Sequence, residues 1–319
     1  MEDSRVSVLI LTFNEELNLP DCLRSVVGWS DDVWVVDSGS SDGTLAIAET
    51  GGASISQHAW EGYARQKNWA LENLPWRHKW VLILDADERL SPELAREITE
   101  LVSLDGNGFS GFYLNRRFIF YGKWIRHCGW YPSWNLRLFQ REMGRYEMRE
   151  VHEHLVLNGP AGYCKHDLIH EDLRDMTSWI EKHNGYATLE AKEVYRLLNG
   201  QSTALRGSLF GGSIERKRFL KERVWPYLPG KSIIYFIYMY IFRLGFLDGG
   251  HGFRFCLMHG IFQEFCTAKL WESARYAGVI NGKTSLSANK TKEAAESGMI
   301  QSVQSGSNRA TGNVQKPTI

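Results

Sequence analysis

Three acidic residues lie within four positions at the end of an apolar run. The stretch VLILDADERL passes from four aliphatic residues directly to Asp85, Asp87 and Glu88. Aspartates two positions apart at a strand end can ligate a divalent cation through oxygen, and such a cation neutralises phosphates and supports a leaving phosphate. Carboxylates are also common in loops, where Asp85 would cap a turn and its neighbours would face water. For an isolated pair of aspartates the turn is the commoner outcome, so the surroundings must decide.

A further carboxylate, Asp37, ends another apolar run in the stretch VWVVDSGSSDGT. A carboxylate in that position can accept hydrogen bonds from a nucleotide base or ribose. Gly39 and Gly43 would let the backbone approach such a ligand closely. The alternative is a plain β-turn that binds nothing.

The first 90 residues alternate strand-like apolar runs with helix-like segments. The pattern predicts strands at residues 6–11, 31–37, 52–58 and 79–90, and helices at 19–27, 44–49 and 62–74. Such alternation indicates a parallel sheet covered by helices on both faces. Ligands of these sheets bind beyond the carboxyl ends of the strands. The polar residues that lie at those ends are Thr12, Asn14, Asp37, Asp85 and Asp87.

The rest of the chain divides by composition. The pattern of residues 91–102 predicts a helix capped by Ser91. Residues 109–157 are aromatic and basic, and we expect strands and loops there. A helix with many charges is expected at residues 175–199. We therefore expect three units. They are an α/β domain at 1–205, a helical, basic and aromatic extension at 206–280, and a disordered tail at 281–319.

Composition excludes several classes of protein. The chain has 319 residues, of which 43% are hydrophobic, so it can bury a large core. Lys plus Arg and Asp plus Glu both number 37, which argues against nucleic-acid binding through bulk charge. The five cysteines form no CxxC pair, which argues against a zinc ribbon or disulfide framework and suits a reducing cytoplasm. The amino terminus lacks a basic leader and a cleavage site, so we expect no secretory signal.

Four stretches in order resemble the successive motifs of the inverting family 2 glycosyltransferases. They are VLILTFNEELNLPDCLRSV, VWVVDSGSSDGT, RQKNWAL and WVLILDADERL. The similarity covers roughly residues 5–175 and is greatest to the lipopolysaccharide-core β-1,4-glucosyltransferase branch. It implies the GT-A fold, in which a Rossmann-like, mostly parallel sheet is flanked by helices, here followed by a C-terminal helical extension.

The resemblance implies roles for residues on the donor side. Thr12, Asn14 and Glu15 would line the nucleotide pocket of a nucleotide-sugar donor, expected to be a UDP-sugar. Asp37 would contact the base or ribose. Lys67 would lie near the nucleotide or its diphosphate.

The resemblance also gives the acidic cluster a purpose. Asp85 would face the ribose, and Asp87 would ligate Mg²⁺ or Mn²⁺ bridging the diphosphate. The repulsion among the carboxylates would then be relieved when the metal and nucleotide bind, and the cation would offset charge on the departing nucleoside diphosphate.

Inversion requires a carboxylate that deprotonates the acceptor hydroxyl. Glu153, in the stretch EVHEHL, is the candidate and Glu150 is the second choice, whereas Glu88 lies too close to the metal loop. Relatives often carry a Glu-Asp pair where this chain has Glu153 followed by His154. His152 could be a further metal ligand or hold a phosphate, or it could be an ordinary hydrogen-bonded histidine near the cleft.

The middle of the chain contains aromatic and basic residues for which the sequence leaves two roles open. Four aromatic residues could stack on sugar faces, although core packing is the commoner use of such residues. They are Trp124, Trp130, Tyr131 and Trp134, and Trp134 is only weakly singled out among them. Phosphates could pair with arginines that could equally be solvated, namely Arg137, Arg141 and Arg149.

The apolar stretch SIIYFIYMYIF at residues 232–242 is shorter than the roughly 20 residues that a membrane span needs. It suits a helix in a membrane interface, beside the basic and aromatic stretch at 215–228, or else an ordinary core or dimer helix. The resemblance favours the membrane, because lipid-linked acceptors are common in this branch. We therefore expect a peripheral protein at the cytoplasmic face, acting on a glycolipid or saccharide acceptor of the lipopolysaccharide core.

Three other readings compete. A haloacid-dehalogenase-type phosphatase expects DxDx[TV] in its first strand, and a receiver domain expects an acidic pair after its first strand, where this chain has TFNEE. A catalytically inactive sugar- or membrane-binding module on the same scaffold is harder to dismiss. The presence of Asp37, Asp85, Asp87 and Glu153 argues against it.

Overall fold

The computed structural model describes residues 4–147, 155–198, 225 and 228–275. Several sequence predictions concern residues outside these ranges. They are the candidate bases Glu150 and Glu153, the candidate ligand His152, the basic stretch at 215–224, both domain boundaries and the tail at 281–319.

The described residues form eleven strands and seven α-helices. The strands are β1 (Val6–Thr12), β2 (Asp32–Asp37), β3 (Ser54–Gln57), β4 (Trp80–Asp85), β5 (Glu88–Leu90), β6 (Gly111–Phe120), β7 (Lys123–Trp124), β8 (Trp134–Gln140), β9 (Gly144–Tyr146), β10 (Leu155–Leu157) and β11 (Ala161–His170). The helices are α1 (Leu19–Val26), α2 (Thr44–Thr50), α3 (Tyr63–Asn73), α4 (Pro92–Ser103), α5 (Met176–Leu198), α6 (Lys231–Ile237) and α7 (residues 249–275). The predicted order of strands and helices is confirmed.

A nine-stranded sheet organises the molecule, with the main order β3-β2-β1-β4-β8-β6-β11-β5 and with β7 paired to β6. The first four strands are parallel, as predicted. Beyond β4 the sheet is mixed, because β8 runs antiparallel to β4 and β6, β11 is parallel to β6, and β5 is antiparallel to β11. The class is therefore α/β with C-terminal helices, and the parallel part is confined mainly to the amino-terminal half.

Both faces of the parallel half are buried. Val8 and Ile10 lie in one cluster, which the apolar stripes of α1 and α4 complete, whereas Leu9 and Ile83 lie in the other with residues of α3. Strands covered on both faces must be apolar at consecutive positions, which explains the unbroken runs of the sequence. Polar side chains are consequently displaced to the strand ends.

Two local features place side chains of the site. Ser91 caps α4, because its Oγ accepts a hydrogen bond from Leu94 N at 3.2 Å, as predicted. In β8, Leu138 pairs with Phe112 and Leu136 with Tyr113, so that Arg137 has no partner on β6. This β-bulge changes the direction of the side chain that it carries.

The C-terminal helices pack on β6 and the residues after β7 through one apolar cluster. Phe120, Ile125 and Cys128 meet Met239 and Phe255 there. Helix α6 continues as a π-helical turn (Tyr238–Phe242), and a 3₁₀ turn (Gly245–Asp248) leads to α7. Within the described ranges, no single helix is long and apolar enough to cross a membrane. Two consecutive helical segments, Lys231–Phe242 and Gly245–Arg275, are bent by 74° relative to each other. Together they are long and apolar enough to cross a membrane, by length and composition alone.

Candidate active site

The polar strand ends meet at one edge of the sheet. Thr12 is paired with Asp37 across β1 and β2, and Leu11 is paired with Asp85 across β1 and β4. Asp87 follows in the turn between β4 and β5. The structure thus brings together the residues that the sequence placed beyond the carboxyl ends, while their roles stay predictions.

Asp37 is fully buried and holds its own loop. Its Oδ1 accepts hydrogen bonds from Thr12 Oγ1 at 3.0 Å and from the Ser40 hydroxyl at 2.5 Å. Its Oδ2 accepts from the backbone N–H groups of Gly39 at 2.9 Å and Ser40 at 2.8 Å. Both oxygens therefore accept hydrogen bonds from the turn after β2, which was one of the two alternatives for Asp37, and Oδ1 also accepts from the end of β1.

The loop after β1 is tied to the loop after β2. Asn14 has a left-handed backbone (φ 54°), and its Oδ1 accepts from Ser41 N at 2.8 Å. Glu15 accepts from Asn18 Nδ2 at 2.8 Å and from Arg174 Nη1 at 3.1 Å. Burial raises the pKa of Glu15 to about 7 although the Arg174 charge opposes the rise. Glu15 consequently changes its protonation state near neutral pH.

The acidic cluster is neutralised by the protein itself. Arg137 Nη2 donates to Asp85 Oδ2 at 2.5 Å and to Glu88 Oε1 at 2.7 Å. Burial would raise the pKa of Asp85, but the charges of Arg137 and Lys67 outweigh it and hold the pKa well below its usual range. The expectation that a metal and nucleotide relieve the repulsion is corrected for these two carboxylates, because a guanidinium already does so. The solvated alternative for Arg137 is also wrong, since it is 6% exposed.

Glu88 is the most enclosed member of the cluster. It is fully buried, its Oε2 accepts from Asp85 N at 3.0 Å, and Arg116 Nη1 lies 3.7 Å from its Oε1. A carboxylate held in this way cannot reach an acceptor hydroxyl. The exclusion of Glu88 as catalytic base therefore gains a structural reason.

Asp87 differs from its two neighbours. Its Oδ1 is buried and has no hydrogen-bond partner within the described part of the chain. Its Oδ2 lies 3.6 Å from Lys182 Nζ on α5 and 3.8 Å from His170 Nε2 at the end of β11. Burial would lower the pKa of Lys182, yet the charge of Asp87 raises it above its usual range.

A buried carboxylate oxygen without a donor fits an oxygen-preferring cation such as Mg²⁺ or Mn²⁺. Among residues 4–147, 155–198 and 228–275, no group of three or more His, Cys, Asp or Glu side chains is arranged to hold a metal. The described residues therefore supply one candidate ligand, Asp87. The other predicted ligand, His152, lies outside the described residues.

Lys67 projects from α3 into the same region. It is 4% exposed, its Nζ lies 4.8 Å from the centroid of the Tyr146 ring, and its charge helps to lower the pKa of Asp85. The hydroxyls of Tyr63 and Tyr186 lie 3.0 Å apart and connect α3 to α5. Lys67 thus lies at the acidic edge, while its place near the nucleotide or its diphosphate stays a prediction.

The remaining aromatic and arginine candidates lie in different parts of the molecule. Trp134 is 41% exposed and packs edge-on against Tyr163, whereas Trp130 packs against Phe255 in the C-terminal apolar cluster. Arg141 follows the opposite end of β8, where its backbone N–H binds Lys79 O, so it is remote from the acidic edge. Arg149 lies outside the described residues.

Sequence reasoning named Arg137 only as a possible phosphate partner, and it missed Arg174, His170 and Lys182 altogether. The Arg137–Asp85 contact spans 52 positions and the Arg174–Glu15 contact spans 159. His170 and Lys182 come from β11 and α5, and no motif links them to the acidic stretch. The one available signal was the acidic stretch itself, which requires basic partners somewhere in the fold.

Comparison with known proteins agrees with this architecture. The model of the family described as "Glycosyl transferase family 2" matches residues 7–155. The chain is 34% identical over 195 residues to the lipopolysaccharide core biosynthesis glycosyltransferase LpsC of Rhizobium meliloti, covering 59% of this chain and 71% of LpsC. It is 46% identical over 94 residues to an uncharacterized glycosyltransferase of Rickettsia conorii, a match that covers 30% of this chain and only 33% of the relative.

Among solved structures, one similar chain is a mannosyltransferase from Pyrobaculum calidifontis in complex with GDP-Man and Mn²⁺. The identity is 15% and the TM-score 0.49, with 84% of this chain and 88% of the other covered. The family assignment depends on the sequence matches, above all on the extent of LpsC that this chain covers. With its α/β sheet and the acidic edge of that sheet, the chain belongs to glycosyltransferase family 2 and is a glycosyltransferase.

Proposed function

We propose that this enzyme transfers a hexose from a nucleotide-sugar, specifically a UDP-sugar, to a lipid-linked or lipopolysaccharide-core saccharide, with inversion and with Mg²⁺ or Mn²⁺. The observation that carries the proposal is the unpartnered, buried Oδ1 of Asp87 beside a strand edge where nucleotides bind in α/β sheets. The name of LpsC, a lipopolysaccharide core biosynthesis enzyme, supports the acceptor class.

In this proposal Asp87 holds the metal, and His152 is the second ligand. A divalent cation bound there would offset the charge of the departing nucleoside diphosphate. Lys182 and Arg174 add fixed positive charge on the same side, because both lie near Asp87 or its neighbour Glu15. Thr12, Asn14, Glu15, Asp37, Lys67 and Asp85 line or brace the donor pocket.

Glu153 is the proposed base that deprotonates the acceptor hydroxyl, with Glu150 as the second candidate. Its support is the resemblance and its place in the segment that joins β9 to β10. Tyr146, at the end of β9, lies beside Lys67 at the acidic edge. Strand β9 therefore ends next to the proposed donor pocket, and Glu153 follows β9 in the sequence.

Peripheral association with the cytoplasmic membrane face is part of the proposal. Helix α6 and its π-helical turn expose a stripe of large apolar side chains at helical spacing, including Ile233 at 63%, Ile237 at 39% and Ile241 at 52%. From Lys231 to Gln263 the only acidic residue is Asp248, which is buried. The helix of the stripe carries no exposed carboxylate of its own, although the exposed Glu264 of α7 accepts a hydrogen bond from Ser232 Oγ at 3.0 Å. An exposed apolar stripe of this kind suits a lipid surface.

The test is donor turnover by the purified full chain with a panel of nucleotide-sugars, in Mn²⁺ and in EDTA. Asp87→Asn should lower Mn²⁺-dependent turnover at least about a hundredfold and abolish Mn²⁺-dependent UDP binding, because the metal loses its ligand. The matched control is Asp105→Asn, which changes an aspartate that is 68% exposed and remote from the edge. Near-normal turnover in Asp87→Asn would remove the metal role. If no donor releases nucleoside diphosphate in a metal-dependent manner, the inactive binding module would be favoured.

The base is tested separately. Glu153→Gln should lower turnover by about a hundredfold or more while donor affinity is preserved, because only proton removal is lost. Glu150→Gln is the matched comparison, measured in the same assay. If the second variant loses turnover and the first does not, the base is Glu150.

A further inference from the structure

A strongly basic part of the sheet adjoins the acidic edge. Residues 106–141 contain six lysines and arginines and no aspartate or glutamate. Because β8 is antiparallel to β4, its Trp134 end lies beyond the carboxyl end of β4, and Trp134 is paired with Asn115 of β6. Arg116, the next residue of β6, reaches Glu88 at 3.7 Å. The outer end of β6 is therefore next to the candidate active site.

At that end two guanidinium groups lie over one indole ring. The Cζ atoms of Arg117 and Arg126 are 4.5 Å and 4.2 Å from the centroid of the Trp124 ring. Trp124 Nε1 is buried and has no acceptor within the part of the chain that the structure describes. A buried N–H without an acceptor is uncommon in folded proteins and calls for a partner.

The two arginines differ in how far they are neutralised. Arg117 donates to Asp167 Oδ2 from Nε at 3.3 Å and from Nη2 at 3.2 Å. Asp167 also accepts from Asn115 Nδ2 and the Tyr131 hydroxyl, so its oxygens are fully engaged. Arg126 makes neither a hydrogen bond through its guanidinium nor an ion pair with any residue described. It retains an uncompensated positive charge on an exposed side chain.

The chemistry of this cluster fits an anionic sugar. A guanidinium pairs in bidentate fashion with a carboxylate or phosphate, and an indole N–H donates to a hydroxyl or anionic oxygen. On the same face of the sheet, Trp134 and Tyr163 expose 41% and 60% of their surface with ring centroids 5.0 Å apart. Exposed aromatic rings of this kind can pack against the apolar face of a sugar ring.

We propose that Arg117, Trp124 and Arg126, with Trp134 beside them, form the acceptor subsite. We further propose that it recognises a saccharide bearing an anionic group, either phosphate or carboxylate. The inference rests on the proposed transferase function and narrows its acceptor. The anionic group binds Arg126, and the neighbouring sugar packs on Trp134, which directs the acceptor toward the acidic edge.

The experiment uses the full chain labelled with 5-fluorotryptophan, and Trp124→Phe identifies the Trp124 resonance in the ¹⁹F spectrum. Glucose 6-phosphate and glucuronate, the phosphate and carboxylate arms, should shift that resonance in a saturable manner at millimolar concentrations, whereas glucose and inorganic phosphate should shift it much less. Arg126→Gln should weaken the response to the charged sugars by about tenfold through loss of the charged hydrogen bonds. Arg96→Gln, which changes a 74% exposed arginine on α4, is the matched control and should behave as the unmodified chain does.

Equal responses to glucose and to glucose 6-phosphate, or an unchanged response in Arg126→Gln, would overturn the proposal. A response to inorganic phosphate as large as that to the sugar phosphate would overturn its saccharide part. UDP binding in Mn²⁺ is measured on the same samples. Loss of the sugar response with UDP binding intact rejects only the acceptor subsite, whereas absence of UDP binding rejects the transferase proposal on which it rests.

Discussion

The parallel half of the sheet and the C-terminal helices differ in whether their side chains have partners within the protein. At the parallel edge, Asp37 accepts hydrogen bonds from Thr12 of β1 and from Gly39 and Ser40 of its own loop, and Arg137 binds Asp85 and Glu88 at once. On the π-helical turn after α6 and on α7, by contrast, large apolar side chains such as Phe242 (73% exposed) and Trp271 (70%) face outward. The first region is satisfied by its own residues, while the second presents groups that the described residues do not cover.

This difference indicates which interactions belong to folding and which are left for binding. A buried carboxylate without a donor would destabilise the fold, so the acidic edge is braced before any ligand binds. An exposed apolar surface costs free energy in water that contact with an apolar environment would recover. Three buried polar atoms at the acidic edge have no hydrogen-bond partner among the described residues, namely Arg137 Nε, His170 Nδ1 and Asp87 Oδ1. Of these atoms Asp87 Oδ1 is the carboxylate oxygen, and it is the exception among the acidic groups. That exception coincides with the proposed metal site.

The strongest test of this comparison removes the guanidinium from the acidic edge. Arg137→Met should lower the free energy of unfolding by about 3–5 kcal/mol, because the fully buried Glu88 would lose its hydrogen-bonded guanidinium and keep only the more distant Arg116, at 3.7 Å, as a cationic arginine partner. Chemical denaturation measures the loss. Arg137→Lys retains a positive charge and should lose less, and adding Glu88→Gln to Arg137→Met should restore part of the stability. A loss below about 1 kcal/mol would show that the edge is not held by this ion pair.

The contrast also explains what the sequence could predict. Thr12, Asp37 and Asp85 were located correctly because a strand buried on both faces is apolar throughout and displaces polar residues to its end. That information is local. The partner of Asp85 was not predictable, because it depends on a bulge in β8 that directs Arg137 toward a strand 52 positions earlier.

The helices show the same limit. The run at 232–242 predicted a helix, and α6 with its π-helical turn confirms one. Composition alone could not say which apolar residues face the catalytic domain. Met239 is buried there, whereas its neighbour Tyr238 is 47% exposed, and only the packing of the two helices against β6 and β7 distinguishes them.

A second test concerns Glu15, a partly buried carboxylate at the edge of the region that Arg137 and Arg174 hold together. Because its pKa is about 7 in the folded protein, above the usual value of about 4.3, the folded state holds the proton more tightly than the unfolded state does. The stability that this proton contributes is fully present below about pH 4.3 and is lost as the pH rises through about 7. Relative to Glu15→Gln, the unmodified chain should lose about 2 kcal/mol between pH 5 and pH 8. Denaturation at several pH values measures the difference, and a pH-independent difference would refute it.

A third test addresses the exposed helices. Replacing Ile233, Ile237 and Ile241 together with serine should reduce binding to vesicles of phosphatidylglycerol and phosphatidylethanolamine about tenfold, because apolar surface is lost from the proposed contact. Thermal stability should change little, since the three side chains are exposed. Vesicle flotation of the full chain measures binding.

The control for that test is a set of exposed apolar residues on the catalytic domain. Leu104, Phe109 and Val156 are 67%, 38% and 54% exposed, and their replacement with serine should leave vesicle binding unchanged. Equal vesicle binding by the two triple variants would contradict the membrane surface. A dimer that dissociates in the isoleucine variant, without vesicle binding by the unmodified chain, would show instead that α6 is an interface between copies of this chain.

The smallest expected effect concerns Ser91, whose hydroxyl makes one hydrogen bond to α4 and one to β11. Ser91 Oγ accepts from Leu94 N at the start of α4 and lies 3.2 Å from Asp167 O, to which it donates. Ser91→Ala should lower the free energy of unfolding by about 1 kcal/mol through loss of the helix cap. Ser91→Asn, which can cap through its own oxygen, should recover most of that loss. If the asparagine is as destabilising as the alanine, the hydrogen bond to Asp167 O matters more than the cap, and Ser91 would stabilise β11, which carries Asp167 and His170 to the active-site edge.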